Sequence, residues 1–241
     1  MTRFKTQDYP HETFITKTFT YFFAIFVVSF SFLNHGAEAS NSMTINSSDP
    51  SKKSTEVAIV AAGCFWCIEK DIDKVNGVLE TTVGYIGGSK ETATYEQTSS
   101  GKTGHYEALR IVFDPSVVSY AEILDVVWVN LDPFNAGGQF CDKGPQYRAA
   151  IFPTSKTQRD MAQKSLEKVQ KWLNQHSKDP QAKSSIATQI IDATQFYDAE
   201  EYHQDYYKKN PVRYGFYRTT CGRDRRLKEV WDDLKRLPAK L

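Results

Sequence analysis

A glycine, a cysteine, two aromatics and a second cysteine follow a short apolar run: Gly63-Cys64-Phe65-Trp66-Cys67 comes directly after Glu56–Ala62. A glycine turn from a strand into a helix leaves the first-turn N–H groups pointing outward. The helix dipole favours an anion there, so a thiolate at Cys64 would be stabilised. The C-x-x-C spacing has three chemical readings: a thiol–disulfide redox pair, half of a zinc site, or a structural bridge. Zinc ranks lowest, because the chain holds no second C-x-x-C and no H-x-x-x-H. A purely structural bridge is a weak use of the spacing, since closing so short a loop removes little entropy from the unfolded chain. Two further cysteines, Cys141 and Cys221, stand far away in sequence.

Four segments carry a resemblance. GCFWC at 63–67, VGYIGG at 83–88, TGHYEALRIVFDPS at 103–116 and CDKGPQYRAAIF at 141–152, continued by YDAEEYHQDYYKKNP at 197–211, resemble the A-type peptide-methionine sulfoxide reductases in the family's order. The resemblance covers essentially the whole domain after residue 55. It implies reduction of methionine S-sulfoxide, free or in proteins, with repair of oxidised proteins as the outcome. A sulfoxide sulfur becomes electrophilic only when its oxygen is protonated or strongly hydrogen-bonded, so such a site needs a thiolate, an acid and oxygen-directed donors. By the resemblance, Cys64 attacks the sulfur and Glu107 is the acid. Tyr95 and Tyr147 bond the oxygen, Phe65 and Trp66 enclose the methyl group, and Asp142 is a further polar residue near the substrate. A raised Glu107 pKa, and hence a desolvated pocket, is then required. The product is methionine plus a sulfenic acid on Cys64.

Cys221 and Cys67 are the candidates to resolve that acid. Many family members carry Gly at the position of Cys67 and use cysteines in a Gly-rich tail, which this chain lacks. Cys221 in FYRTTCGRD, near Arg218, Arg223, Arg225 and Arg226, reads as a mobile thiol of lowered pKa and is preferred, with Cys67 next. Cys141 reads as a small semi-buried residue. Tyr106 before the acid and Pro145 before Gln146-Tyr147 depart from the commonest motif and affect loop shape. His105 and His203 are assigned no catalytic role, and His203 is read as a structural hydrogen-bonding residue. The resulting disulfide implies thioredoxin or a thioredoxin-like reductant as partner, with no cofactor and no metal.

The elements that must position these residues follow from periodicity. Glu56–Ala62 reads as a strand, Cys64–Val75 as a helix, and Val78–Ile86 as a strand, with a polar loop from Gly87 to Gly104. His105–Phe113 is a strand between Gly104 and Pro115. Ser119 with Glu122 three residues on forms a capping box for a helix striped by Ile123, Leu124, Val127, Trp128 and Leu131. After a long loop over Asp132–Gln146, Tyr147–Phe152 is a strand. The order β-α-β-β-α-β is a split-βαβ, ferredoxin-like α+β plait with two helices on one face. An amphipathic helix follows over Ser155–His176, then an edge strand within Ile186–Ala193 and short helices at Ala199–Lys209 and Arg223–Lys235.

Ahead of this single domain, Arg3, Lys5 and Lys17 precede the 13-residue run Tyr21–Leu33, which leads to Ala37-Glu38-Ala39. A helix of that length covers about 20 Å of a hydrocarbon core of about 30 Å. The layout predicts a signal peptide over residues 1–39 cleaved after Ala39, a flexible leader over 40–55, and a periplasmic or secreted monomer without a stable membrane anchor. The net charge of +1, from 30 Lys+Arg against 29 Asp+Glu, argues against a nucleic-acid partner. Two rival functions remain open on the residues alone. One is a periplasmic thioredoxin-like thiol–disulfide oxidoreductase using Cys64 and Cys67; the other is a module that binds Met-containing peptides without turnover.

Overall fold

The computed structural model describes residues 54–231. The signal peptide expected at 1–39 and nearly all of the leader lie outside them. Apolar alternation builds the sheet. In strand β1 (Glu56–Ala62), Ala58, Val60 and Ala62 face one core, while Ile59 and Ala61 face another. Strand β2 (Val78–Ile86) and strand β3 (Tyr106–Phe113) pair antiparallel, and β3 also pairs antiparallel with β1. Strand β6 (Ala149–Ile151) closes the other side of β1. The central order β6-β1-β3-β2 is that of the split-βαβ plait.

Helix α1 (Phe65–Ile72) and helix α3 (Tyr120–Trp128) cover one face, burying Phe65, Ile68, Ile72, Ile123, Leu124, Val127 and Trp128 against it. The capping box at α3 is present in full: Ser119 accepts the Glu122 N–H at 3.3 Å, and the Glu122 carboxylate accepts the Ser119 N–H at 2.8 Å. Helix α4 (Lys156–His176) starts at the Ser155 cap and packs Ala162, Val169 and Leu173 into the same core. The opposite face is covered by Ile191, Ala193 and Phe196.

Several expected boundaries shift. The first helix ends at Ile72 rather than Val75. The polar loop holds a 3₁₀ turn (Lys90–Thr92) and a short helix α2 (Tyr95–Ser99), started by the Thr94 cap. The loop after α3 contains a hairpin of β4 (Gly138–Gln139) and β5 (Asp142–Lys143), and a 3₁₀ turn (Pro145–Tyr147) shortens the strand expected at Tyr147–Phe152. The edge strand shrinks to β7 (Gln189–Ile190), parallel to β6.

The helix expected at Ala199–Lys209 is corrected. Strand β8 (Phe196–Asp198) adds to the β2 edge, turns follow, and only α5 (Tyr206–Lys209) is helical, because Asp205 sits at φ 53° and breaks the run. Helix α6 (Pro211–Thr220) was not expected, and α7 runs over Arg223–Trp231, with the remainder of that expected helix outside the described residues. Among the described residues no helix is long and apolar enough to cross a membrane.

Candidate active site

The turn from β1 into α1 is made by Gly63 at φ 82°, a backbone conformation in which an added Cβ would also lie 2.5 Å from the Gln139 Cβ. It delivers Cys64 to the N-cap of α1, with Cys64 and Cys67 both buried and free. The Cys67 N–H donates to the Cys64 carbonyl at 3.1 Å, and the two thiols hydrogen-bond each other. Burial, then Cys67 and the carboxyls of Glu107 and Asp142, pushes the Cys64 thiol above its ordinary range. Its partner is held lower, at about 7, first by the hydrogen bond from Cys64 and, against burial, by the Arg223 and Arg218 charges and the Tyr214 hydroxyl. The thiolate stabilisation expected at the helix start is therefore outweighed at Cys64 by desolvation, and Cys67 is the more acidic thiol of the pair.

Glu107 lies on the helix-facing side of β3, with 2% of its surface exposed. Its Oε2 accepts the Phe65 N–H at 3.2 Å, satisfying one of the orphan donors of α1. Burial, with Asp142 and Cys67 adding to it and the Phe65 bond opposing, raises its pKa to about 8, so at neutral pH it carries a proton.

A cavity of about 80 Å³ opens over these groups, lined by Cys64, Phe65, Trp66, Tyr95, Glu107, Asp142, Tyr147 and Tyr217. It has room for the end of one side chain. All seven residues that the sequence assigns to the nucleophile, acid, oxygen donors and substrate pocket thus meet in one place. Burial raises the pKa values of Tyr95 and Tyr147, so both hydroxyls keep their protons and remain donors. Tyr95 begins α2, where its N–H donates to Glu200 Oε1 at 2.9 Å, while Gln146 donates to the Ser99 carbonyl at 3.1 Å and ties the Tyr147 turn to the same helix.

Trp66 is held on two sides. Its indole N–H donates to His203 Nδ1 at 3.1 Å, and its ring stacks on Tyr206 with centroids 3.9 Å apart and planes 10° from parallel. His203 is structural as expected, but it sits in a turn rather than on a helix, 4.5 Å from the Tyr95 ring centroid. His105 is likewise structural: its Nδ1 accepts the Gly88 N–H at 3.2 Å and its Nε2 bonds the Ser89 carbonyl at 2.9 Å.

Tyr217 escaped the sequence reading, since nothing distinguishes it among 13 tyrosines. It lines the cavity from α6 and donates to Asp142 Oδ2 at 2.6 Å. The mobile thiol expected at Cys221 is corrected, because Cys221 is joined to Cys141 in a disulfide. Cys141, read as a small semi-buried residue, is its exposed partner.

Residues 56–235 match the family model described as peptide methionine sulfoxide reductase. A Caulobacter vibrioides protein, peptide methionine sulfoxide reductase MsrA 2, is 47% identical over 177 residues, 73% of this chain and 86% of that one. The Bacillus subtilis peptide methionine sulfoxide reductase MsrA is 44% identical over 176 residues, 73% and 96% of the two chains. Among solved structures, methionine sulfoxide reductase A of Corynebacterium diphtheriae superposes with a TM-score of 0.58 at 32% identity, covering 66% of this chain and 76% of that one. Reduced Mxr1 from Saccharomyces cerevisiae gives 0.58 at 31% identity, covering 66% and 87%.

Proposed function

The chain belongs to the peptide methionine sulfoxide reductase family, and from that premise we propose how its own residues carry out the reduction. The observation that carries the reading is the small cavity in which a buried thiol, a carboxyl protonated at neutral pH and two tyrosine hydroxyls face one another between Phe65 and Trp66. A methionine S-sulfoxide enters with its methyl group against Phe65 and Trp66. Its oxygen accepts hydrogen bonds from Tyr95, Tyr147 and the Glu107 carboxyl, which draws electron density from sulfur.

Cys64 starts protonated and gives up its proton as it attacks, the Cys67 thiolate beside it being the nearest acceptor. The attack bonds the Cys64 sulfur to the substrate sulfur; the oxygen, taking the Glu107 proton, then passes to Cys64 as the S–O bond and that new bond break, so that methionine leaves and Cys64 becomes a sulfenic acid. Cys67 then displaces its hydroxyl, forming a Cys64–Cys67 disulfide and releasing one water. Cys67 takes this role ahead of Cys221 because it is the free thiol that already touches Cys64. A dithiol donor such as thioredoxin or a thioredoxin-like protein returns the pair to thiols. The apolar run at 21–33 and the Ala37–Ala39 site support export, which places that donor and the oxidised protein substrates outside the cytoplasm; an N-terminus at Ser40 in exported protein is the check.

Turnover of the two purified sulfoxide epimers with dithiothreitol tests the reading. The S epimer is reduced, Cys64→Ser abolishes the activity, and Glu107→Gln lowers it by roughly 10²–10⁴. Equal activity on both epimers, or full activity of Cys64→Ser, would sink it.

A further inference from the structure

The disulfide between Cys141 and Cys221 spans 80 residues of sequence and brings two Cα atoms to 4.9 Å, while the two cysteines of the cavity stay free. Each bridged cysteine adjoins a residue of the cavity wall. Cys141 directly precedes Asp142 in the β4–β5 hairpin, and Cys221 caps α6 one turn after Tyr217. The two wall residues meet through the 2.6 Å hydrogen bond from Tyr217 to Asp142. Beside it the Cys141 N–H donates to Cys221 Sγ at 3.2 Å, and the Arg223 guanidinium lies 4.5 Å from the centre of the Phe140 ring.

The hairpin itself is only two residue pairs long, Gly138 with Lys143 and Gln139 with Asp142, too little to hold a fixed position unaided. Burial raises the Asp142 pKa, and the Tyr217 hydroxyl is the bond that opposes this, so separating the two leaves a desolvated carboxyl without its donor.

We propose that the Cys141–Cys221 disulfide is a positioning clasp for the reaction at Cys64: it fixes Asp142 and Tyr217 as the outer wall of the substrate cavity, stays oxidised through the catalytic cycle, and weakens substrate capture when it is reduced. The proposal rests on the methionine sulfoxide reading of the Cys64 cavity. The electron count is complete without the clasp. One sulfoxide consumes the two thiols of Cys64 and Cys67 and yields methionine, one disulfide and one water. A disulfide offers no thiol to a sulfenic acid, and Cys67 already supplies one. Opening the clasp takes two electrons from an external dithiol and gives two thiols at the cavity rim.

Single-turnover measurements on the Cys67→Ala background separate the two states of one protein, since a chain with one free thiol needs no added reductant. Methionine release is followed against methionine S-sulfoxide concentration with the clasp closed, and again after dithiothreitol treatment and desalting. The half-saturation concentration rises about tenfold on opening, the size of one lost charge-assisted hydrogen bond, while the rate at saturation changes little. Tyr217→Phe raises half-saturation similarly with the clasp closed and adds little with it open, a non-additivity that general destabilisation would not produce. Fully reduced, desalted enzyme with all four cysteines releases one methionine per chain.

An unchanged half-saturation on opening, additive effects of Tyr217→Phe and reduction, or two methionines per reduced chain would each overturn the proposal; the last would make the pair an electron relay. No methionine from any form would instead strike the Cys64 assignment, and the clasp with it.

Discussion

Glu107 shows how burial of one carboxyl makes the stability of the fold depend on pH. An unfolded glutamate titrates near 4.3, whereas burial raises Glu107 to about 8 in the folded chain. Between those values the unfolded chain has released a proton that the folded chain still holds. Stability therefore falls as pH rises through this window, by up to about 1.4 kcal/mol per unit. Glu107→Gln removes that dependence and can still accept the Phe65 N–H, so the variant's denaturation midpoint gains on the wild type steadily from about pH 4.5 to about pH 8. The wild-type rate of sulfenic acid formation peaks between about 7 and about 8, falling at lower pH as Cys67 takes up a proton and at higher pH as Glu107 ionises. Parallel pH–stability curves for the two proteins would show that Glu107 is not protonated in the fold. That Cys64, Glu107, Tyr147 and Asp142 share one cavity was legible because each lies inside a run of motif residues, whereas Tyr95 stands in the polar loop between two such runs and came only with the resemblance. Tyr217 lies outside every such run, and Glu200 and Tyr206, though inside the 197–211 run, act through contacts across the fold that no local spacing records.

The elements divide along the same line. Strands β1 to β3 and helices α3 and α4 were readable from the sequence, because alternation, the Ser119 and Ser155 caps and the 3.6-residue stripes all mark them locally. Helix α6 was hidden by Pro211 and Gly215 in a segment of tyrosines and arginines, and α5 was overextended because Asp205 adopts a left-handed conformation that its residue type does not announce. The β1–α1 turn is the element on which the site depends most. Gly63→Ala forces a left-handed alanine, costing about 1–2 kcal/mol, and pushes its Cβ against Gln139. Gln139 is fully buried and makes two 2.8 Å hydrogen bonds with the Asp132 backbone, so it has no easy retreat. A lowered melting temperature and slower sulfenic acid formation are both expected in Gly63→Ala, because the Cys64 cap and the β4–β5 hairpin move together. A loss of stability with unchanged Cys64 reactivity would show that the turn does not set the nucleophile.

At the scale of the domain, α7 closes the fold onto itself. Arg223 at its start is almost fully buried and donates to the Ala62 carbonyl at 3.2 Å and to the Asn130 carbonyl, bracing the end of β1 just before the turn that carries Cys64. Arg226 pairs with Asp132 at 2.7 Å and with Asp179. At the far end Trp231 is fully buried, donates its indole N–H to the Leu131 carbonyl at 3.0 Å and stacks on Trp172, while Ser177 at the end of α4 donates to the Val230 carbonyl at 2.7 Å. One helix thus joins the core to the site, but through different residues. Trp231→Ala removes a large side chain from a packed interior at about 3–5 kcal/mol and lowers the melting temperature by roughly 6–20 °C. Trp231 is absent from the cavity lining, so well below that transition the half-saturation for methionine S-sulfoxide stays within about twofold of the wild type. Calorimetry together with kinetics at low temperature checks both halves. A raised half-saturation in a folded Trp231→Ala protein would mean that core packing reaches the cavity through Arg223, and that the stability of the domain and the shape of its site are a single property.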